Sequence, residues 1–517
     1  MPAPTDALLI ERLAAPACYP HAVSKVRVIE THISWVLLTG EFAYKIKKPL
    51  DLGFLDFSTP DKRLAACREE LRLNRRLAPD IYLDVVPLTG TPDAPRLGGD
   101  GPAFDHAVKM RQFPADATLD RAGVTPDQID AIAHAIAHFH EHACARADAA
   151  APWGNPDAVW QPVAQNFAQI APHLADPDRA AQLDALRQWS GAEHARLAPL
   201  MAARRRDGFV RECHGDLHLG NLAWADGRLI VFDCLEFDPA LRWIDVQSEI
   251  AFLYMDLLQR GRADLAWLFL NLWLEATGDY AGVALLRYYA VYRALVRAKV
   301  AAIRSAQAGG GASGEVHAEV AALLDLATRL TQPLPVRLSI THGLSGSGKT
   351  TVTRTLMQAP GAIRLRSDIE RKRLAGLGAL ARSGSGIGQQ LYAADTTRRT
   401  YQHLAGRAGD LLDAGWPVIV DATFIARWQR DLLREVARAR SASFRILDFP
   451  VPPATLRERI VARSRAGTDA SEADLAVLGH QLQTEEPLAA EEKPDAVDAR
   501  NLCATLSTPP RRTIAVD

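Results

Sequence analysis

The sequence has few cysteines, no long hydrophobic run and almost no net charge. Its 517 residues include six cysteines, none in a Cys-x-x-Cys pair, which predicts reduced thiols and a cytoplasmic location. The most apolar stretch, 265–274, is about ten residues long, too short to span a membrane. The first residues lack the basic start and apolar core of a secretory signal. A formal net charge of −1 gives no global basic field for nucleic acid or an anionic membrane.

Composition predicts a folded chain with several domains. Apolar residues make up 48% and charged residues 23% of the chain, both ordinary values for a globular protein. At roughly 150 residues per domain, the length predicts two to four domains. Charge is uneven, because residues 336–517 carry 26 basic and 20 acidic side chains while the rest has an acidic excess. Extended anions are therefore better suited to the C-terminal part.

Two patterns of secondary structure divide the chain. Strand patterns at 25–29, 34–38 and 41–47 precede a helix pattern at 60–77, and the chain is mostly helical after Pro126. The stiff segment 332–335, Gln-Pro-Leu-Pro, is followed by strands alternating with helices, which is typical of a parallel sheet. We predict an α+β domain over 1–332, a linker at 333–336 and an α/β domain over 337–517.

The strongest motif is a complete phosphate-binding loop, GLSGSGKT, between an apolar strand pattern and a helix pattern. Its glycines allow consecutive N–H groups to point at phosphate oxygens, and the following helix adds its positive N-terminus. The lysine supplies a mobile charge, and the Thr350 hydroxyl is placed for Mg²⁺. The residues predicted to bind the nucleotide are Gly343, Ser345, Gly346, Ser347, Gly348, Lys349, Thr350 and Thr351.

Further residues of this domain fit phosphoryl transfer. Asp421 ends an apolar strand and is a candidate magnesium-side acid. Asp368 can accept a proton from an attacking hydroxyl, and Arg371 can hold an anionic substrate, although a helix cap explains this segment about as well. Arg459 and Arg463 share a helix face and can close over the phosphates, the alternative being an ordinary solvated basic face.

These residues resemble the small P-loop kinases of the AAA type, typified by polynucleotide kinase and including zeta-toxin-like and gluconate-kinase-like relatives. The resemblance covers about 336–490. It implies that Asp368 is the general base, that Arg371 binds the substrate, and that Arg459 and Arg463 form a catalytic lid. The substrates of that family range from sugars to nucleic-acid ends, so the acceptor does not transfer.

A second constellation lies upstream, in HGDLHLGN at 214–221 and IVFD at 230–233. Asp216 would accept the hydroxyl proton, while Asn221 and Asp233 would hold a metal ion. Lys45 stands on a strand in FAYK and would position the nucleotide phosphates with a glutamate of the next helix. Glu70 is favoured for this pairing and Glu69 is the alternative. A polar hairpin turn is the structural alternative for the whole segment.

The order of lysine, glutamate, catalytic loop and metal aspartate resembles the aminoglycoside phosphotransferase branch of the protein-kinase fold, over about residues 20–330. It implies a bilobal kinase-like domain that uses ATP and Mg²⁺. The segment 30–34 departs from kinases because it has no glycine, although Ser34 could still meet a phosphate.

We therefore predict two fused ATP- and Mg²⁺-dependent phosphotransferases that act on small molecules and not at membranes. One alternative is that the first domain senses or docks a ligand without catalysis. Another is that the second domain phosphorylates nucleic-acid ends, which is possible but not favoured. His134, His138 and His142, with His140 beside them, could bind a transition metal, but an exposed polar stripe explains them better. The oligomeric state is not predicted.

Overall fold

A computed structural model of the chain describes residues 4–51, 53, 55–307, 313–359, 361–378, 394–466, 473–499 and 501–502. The chain forms two compact units. The first unit comprises Met1–Gln169 and Gly191–Asp256, and the second comprises Ile170–Ser190 and Leu257–Asp517. Within the described ranges, no helix combines the length and the apolar character needed to cross a membrane.

A six-stranded antiparallel sheet begins the first unit. Its strands are β1 (Arg27–Glu30), β2 (Ser34–Leu38), β3 (Phe42–Lys47), β4 (Tyr82–Thr91), β5 (Ala94–Leu97) and β6 (Ala103–Arg111). Their order across the sheet is β1-β2-β3-β6-β4-β5. The strand patterns at 34–38 and 41–47 are thereby confirmed within a residue.

The side chains of β3 alternate between an apolar face of the sheet and a face that carries lysines. Tyr44 and Ile46 join a hydrophobic cluster with Leu13, while Lys45 and Lys47 point to the other face. Successive residues of a strand face opposite sides, so one apolar set fixes the register of both lysines.

Helices and two small ribbons complete the chain as far as residue 259. The helices are α1 (Pro4–Leu13), α2 (Pro60–Asn74), α3 (Leu119–Ala122), α4 (Pro126–His138), α5 (Pro156–Ile170), α6 (Pro177–Arg206), α7 (Pro239–Arg242) and α8 (Val246–Gln259). The ribbons pair β7 (Val210–Glu212) with β10 (Trp243–Asp245), and β8 (Leu222–Ala225) with β9 (Arg228–Val231). Helix α2 ends at Asn74, three residues earlier than its pattern predicts, and hydrogen-bonded turns continue the chain to Ala78.

A five-stranded parallel sheet lies at the centre of the second unit. Its strands are β11 (Arg337–His342), β12 (Ile363–Arg366), β13 (Val418–Asp421), β14 (Ser443–Asp448) and β15 (Ala496–Asp498). They run in the order β12-β13-β11-β14-β15, and every pair is parallel. The predicted fold class, a bilobal α+β kinase-like fold followed by a parallel-sheet α/β P-loop fold, is confirmed. The short strand β15 had no distinct sequence pattern.

Nine described helices follow residue 260. They are α9 (Ala263–Thr277), α10 (Val283–Gln307), α11 (Ser313–Thr331), α12 (Lys349–Gln358), α13 (Ser367–Leu374), α14 (Ala394–Asp413), α15 (Arg427–Ala439), α16 (Pro453–Ala466) and α17 (Leu475–Thr484). Helix α9 is buried along nearly its whole length, as its apolar sequence indicates.

Helix α9 covers the edge of the parallel sheet at β12. The amide of Asn271 donates to the carbonyl of Ala362 at 2.9 Å and accepts from the backbone N–H of Arg364 at 2.6 Å. The Arg364 guanidinium pairs with Glu275 at 2.7 Å, and both side chains are buried. These bonds satisfy backbone groups that an edge strand would otherwise expose. Helices upstream of the predicted linker thus pack with the P-loop sheet, and the linker at 333–336 stays a prediction.

We expect Glu275→Gln to destabilise the second unit by about 3–5 kcal/mol, because it leaves the Arg364 charge buried without a carboxylate. Differential scanning calorimetry would show one transition moving to lower temperature. Glu193→Gln is the control, since it removes only the partly exposed pair with Arg196 and should cost less than about 1 kcal/mol. Equal shifts in the two variants would contradict the role given to Glu275.

Candidate active sites

The first site is built around a lysine held between two carboxylates. Lys45 Nζ lies 2.8 Å from Glu70 Oε1 and 2.5 Å from Asp233 Oδ1. Glu70, rather than Glu69, is therefore the partner of Lys45. Glu69 instead contacts Arg72 and Arg242.

A second buried lysine completes the network. Lys47 bonds both Glu70 and Glu236, and all three side chains are almost fully excluded from solvent. Burial alone would raise the pKa of Glu70, but Lys45 and Lys47 lower it below the usual range. Burial works against the charged form of Lys45 too, yet Asp233 and Glu70 raise the pKa of Lys45 well above its usual value. Both groups are therefore charged at neutral pH.

The catalytic-loop candidate is an ordered turn between β7 and β8. Asn221 Nδ2 donates to the carboxylate and to the carbonyl of Asp216, both at 2.9 Å, and His218 Nε2 lies 3.3 Å from the same carboxylate. Because the Asn221 nitrogen faces Asp216, its amide oxygen remains as a possible metal ligand.

Two carboxylates of helix α8 accept hydrogen bonds from backbone N–H groups of this loop. Glu249 accepts from the N–H groups of His214 at 2.7 Å and Gly215 at 3.0 Å. Asp256 accepts from the N–H of Leu219 at 3.0 Å. Gly215 has φ +89°, and a Cβ there would lie 2.9 Å from the Leu241 carbonyl oxygen, so this position requires glycine.

Asp233 stands in a strained backbone position beside the loop. Its φ is +66°, and its N–H donates to the Tyr82 hydroxyl at 3.1 Å. The N–H of Phe232 donates to the carbonyl of Asn221 at 3.1 Å, which links the two metal candidates. A carboxylate and an amide oxygen are ligands that suit Mg²⁺, so the donor set fits the predicted ion.

Ser34 is buried at the start of β2, and its contact with a phosphate stays a prediction.

The second site is an open cleft of about 810 Å³ at the carboxyl edge of the parallel sheet. Most of the residues predicted for this site line it together: Ser345, Gly346, Gly348, Lys349, Thr350, Thr351, Asp368, Arg371, Asp421 and Arg459. Gly343 and Ser347 belong to the same loop but lie outside the lining. Ligands bind at this edge in open α/β sheets.

The loop has the geometry that phosphate binding needs. Gly346 has φ +83° and Gly348 has φ +89°, and the latter precedes the first turn of α12. Lys349 Nζ donates to the carbonyls of Gly343 at 2.9 Å and Leu344 at 2.8 Å. The lysine therefore stays on the loop that would surround a phosphate.

Two carboxylates of the cleft lie where neighbouring strands end: Asp421 is the last residue of β13, and Asp368 is in the first turn of α13, which follows β12. Arg366 of β12 pairs in register with Asp421 of β13, so both strands end at the same level. Asp421 accepts from Thr353 of α12 at 3.1 Å, and Asp368 lies 3.7 Å from Arg371 on α13. The candidate base, substrate arginine and magnesium-side acid thus share one cleft.

The predicted lid is described in part. Arg459 of α16 donates to the carbonyl of Ser347 at 3.4 Å, so it already reaches the phosphate loop. Arg463 lies one turn later on the same helix, but its side chain is outside the described part of the chain.

Sequence reasoning missed several residues of the cleft. Gln481 of α17 accepts from the N–H of Ser345 at 2.9 Å. Arg398 stands over the ring of Trp428 at 5.2 Å, and both side chains line the wall near Arg371. Nothing in the sequence marked Arg398 and Trp428 as a pair, because they belong to the separate helices α14 and α15.

Comparison with known proteins gives matches along nearly the whole chain. Residues 338–488 match the AAA domain family. The chain is 32% identical over 501 residues to the uncharacterised protein Rv2004c of Mycobacterium tuberculosis, covering 91% of this chain and 95% of that protein. The uncharacterised protein Mb2027c of Mycobacterium bovis matches to the same extent.

Solved structures resemble each part separately. A choline/ethanolamine kinase family protein from Mesorhizobium loti is 13% identical, covers 63% of this chain and 95% of its own, and has a TM-score of 0.40. A sugar kinase from Janibacter is 22% identical, covers 33% of this chain and 90% of its own, and has a TM-score of 0.26. The AAA-domain match and the two site geometries make the chain an ATP-dependent phosphotransferase.

We expect Lys47→Met to destabilise the first unit by about 3–5 kcal/mol, since Glu236 loses its buried cation and Glu70 keeps only Lys45. The double variant Lys47→Met/Glu236→Gln should recover part of this loss, because the uncompensated charge of Glu236 is gone. Calorimetry of both variants would measure this. Lys62→Met is the control, since its pair with Asp56 is exposed and worth less than about 1 kcal/mol. Equal stability of the single and double variants would refute the network.

We expect two Mg-ATP sites per chain by isothermal titration calorimetry. Asp233→Asn should remove one site and Lys349→Ala the other, each weakening its own site by about 100-fold, because charge-assisted phosphate and metal contacts are lost. Arg445→Ala, an exposed cation of β14 outside the cleft, should leave both sites intact. A single site in the wild type, or loss of both in one variant, would disprove this arrangement.

Proposed function

We propose two phosphotransferase sites for this chain, which belongs to the same family as the mycobacterial proteins Rv2004c and Mb2027c. Each site passes the γ-phosphate of ATP to a hydroxyl group of a small molecule. The observation that carries the proposal is that each candidate phosphate-binding lysine lies near a candidate metal-binding carboxylate: Lys45 contacts Asp233, and Lys349 lines one cleft with Asp421.

In the first site, Lys45 is positioned by Glu70 to contact the nucleotide phosphates. Asp233 and Asn221 would hold Mg²⁺, which neutralises phosphate charge when bound. Asp216 orients the acceptor hydroxyl and takes its proton, while Asn221 and His218 fix the direction of its carboxylate. The geometry of this loop supports a catalytic role over that of a ligand-docking domain.

In the second site, the loop and Lys349 hold the nucleotide phosphates. Thr350 and Asp421 would hold Mg²⁺, and Asp368 would take the acceptor proton. Arg371 and Arg398 on one side of the cleft, with Arg459 at the loop, favour an acceptor that carries negative charge.

The covalent fusion suggests that the two sites act in sequence on one metabolite or its product. A nucleic-acid end is the alternative acceptor for the second site. A small molecule and a nucleic-acid end would receive the phosphoryl group by the same chemistry. The identity of the labelled products, rather than the rate of transfer, therefore distinguishes the two acceptors.

We expect Asp216→Asn and Lys349→Ala each to reduce a different set of products by at least about 100-fold, because each removes the base or the phosphate contact of one site. Metabolite extracts incubated with γ-labelled ATP, and a 5′-hydroxyl oligonucleotide in parallel, would measure this. Asp226→Asn is the matched control, since Asp226 is exposed in the β8–β9 turn at φ +51°, where asparagine is tolerated.

The product profiles separate the alternatives. If Asp216→Asn left every product unchanged, the first unit would not be a kinase. If labelled oligonucleotide were the main product and vanished in Lys349→Ala, the small-molecule acceptor of the second site would be wrong. If each variant lost only products chemically unrelated to those of the other, the sequential idea would fail.

A further inference from the structure

A group of three possible metal ligands lies buried next to the catalytic loop of the first unit. His140, Cys213 and Glu249 each offer one ligand atom, and these atoms all lie within 4.8 Å of one another. His140 is 1% exposed, and the other two side chains are fully buried. None of the three takes part in the phosphotransfer chemistry proposed above.

The three ligands come from separate elements that meet here. His140 lies in a single π-helical turn, Phe139–Ala143, which continues α4. Cys213 follows β7 directly, and Glu249 is in the first turn of α8. π-helical turns are rare and occur often at functional sites.

Cys144 is the candidate for a fourth ligand, although its thiol is not among the three ligand atoms that lie within 4.8 Å of one another. It ends the π-helical turn, and its thiol interacts with that of Cys213. It is half-buried, so the site has an approach from solvent. One imidazole, two thiols and one carboxylate form a four-ligand set of the kind that binds Zn²⁺ tetrahedrally. Such a set differs from the oxygen ligands that suit Mg²⁺.

Hydrogen bonds from neighbouring residues hold the segments that carry the ligands. Each carboxylate oxygen of Glu249 accepts one backbone N–H, which orients it and still leaves a lone pair for a metal. Arg211 donates to the carbonyl of His140, and Arg76 donates to that of Cys213 at 3.2 Å.

We propose that His140, Cys144, Cys213 and Glu249 form a structural site for a divalent transition metal of the Zn²⁺ type. Each thiol loses its proton to solvent as its sulfur binds the ion, so two protons leave per metal bound. With four protein ligands the site is closed and does not activate water. Because Cys213 directly precedes His214 and Glu249 holds the N–H groups of the loop, the metal would brace the segment that carries Asp216.

The test is metal analysis of the full chain, purified without chelators or a metal-binding tag and then dialysed against Zn²⁺ alone. We expect about one zinc ion per chain by inductively coupled plasma mass spectrometry. Cys213→Ser and Cys144→Ser should each reduce this at least about tenfold. Replacement of zinc by Co²⁺ in the wild type should give thiolate-to-cobalt charge-transfer absorption, which requires no variant to fold.

Two controls make the result specific. His138→Gln/His142→Gln removes the exposed imidazoles of the same helical segment and should retain the zinc. Cys67→Ser removes a buried thiol elsewhere and should retain it too. Absence of zinc, a Cys144–Cys213 disulfide in its place, or loss of zinc only in the His138/His142 variant would each overturn the proposal. Because the readout is metal content, the result does not depend on phosphotransferase activity.

Discussion

The mutual neutralisation of buried charges is the constraint on which the first site depends. Four charged side chains of this site are buried and poorly solvated by water: Lys45, Lys47, Glu70 and Glu236. A buried charge that loses its partner reduces the free energy of unfolding by several kcal/mol. Each of these residues can stay ionised only while the others hold their places. Strand β3, helix α2 and the segment after β9 must therefore meet in one register, and Asp233 is delivered to Lys45 as a consequence.

In the second unit, one buried ion pair neutralises its two charges in the same way. Arg364 and Glu275 are buried together, and Arg364 lies in the edge strand whose end leads to Asp368 and Arg371. Helix α9 thereby supports the acceptor side of the P-loop cleft, although it is encoded before the predicted linker. The helices from Leu257 to the predicted linker therefore belong to the same compact unit as the P-loop sheet.

Sequence reasoning found the parts of the sites that are carried by contiguous residues. The phosphate loop, the 214–221 turn and the alternation of β3 are local patterns, each set by backbone geometry that a few neighbouring residues determine. Lys47 escaped notice because its partner Glu236 is 189 positions away and nothing local marks the pair. Helix α9 shows only an apolar pattern, so Asn271 and Glu275 gave no sign that they would bind strand β12.

The two sites hold their lysines by different electrostatic means. Lys349 rests on neutral carbonyl groups, so a phosphate oxygen that takes their place gains a charge-assisted bond. Lys45 rests on two carboxylates, and a phosphate must compete with Asp233 for it. Glu70 keeps Lys47 as a partner in either case, whereas Asp233 needs another cation once Lys45 turns toward a phosphate. The neighbouring Asn221 makes that position suitable for Mg²⁺, so the proposed binding of metal and of nucleotide would be coupled more tightly in the first site than in the second.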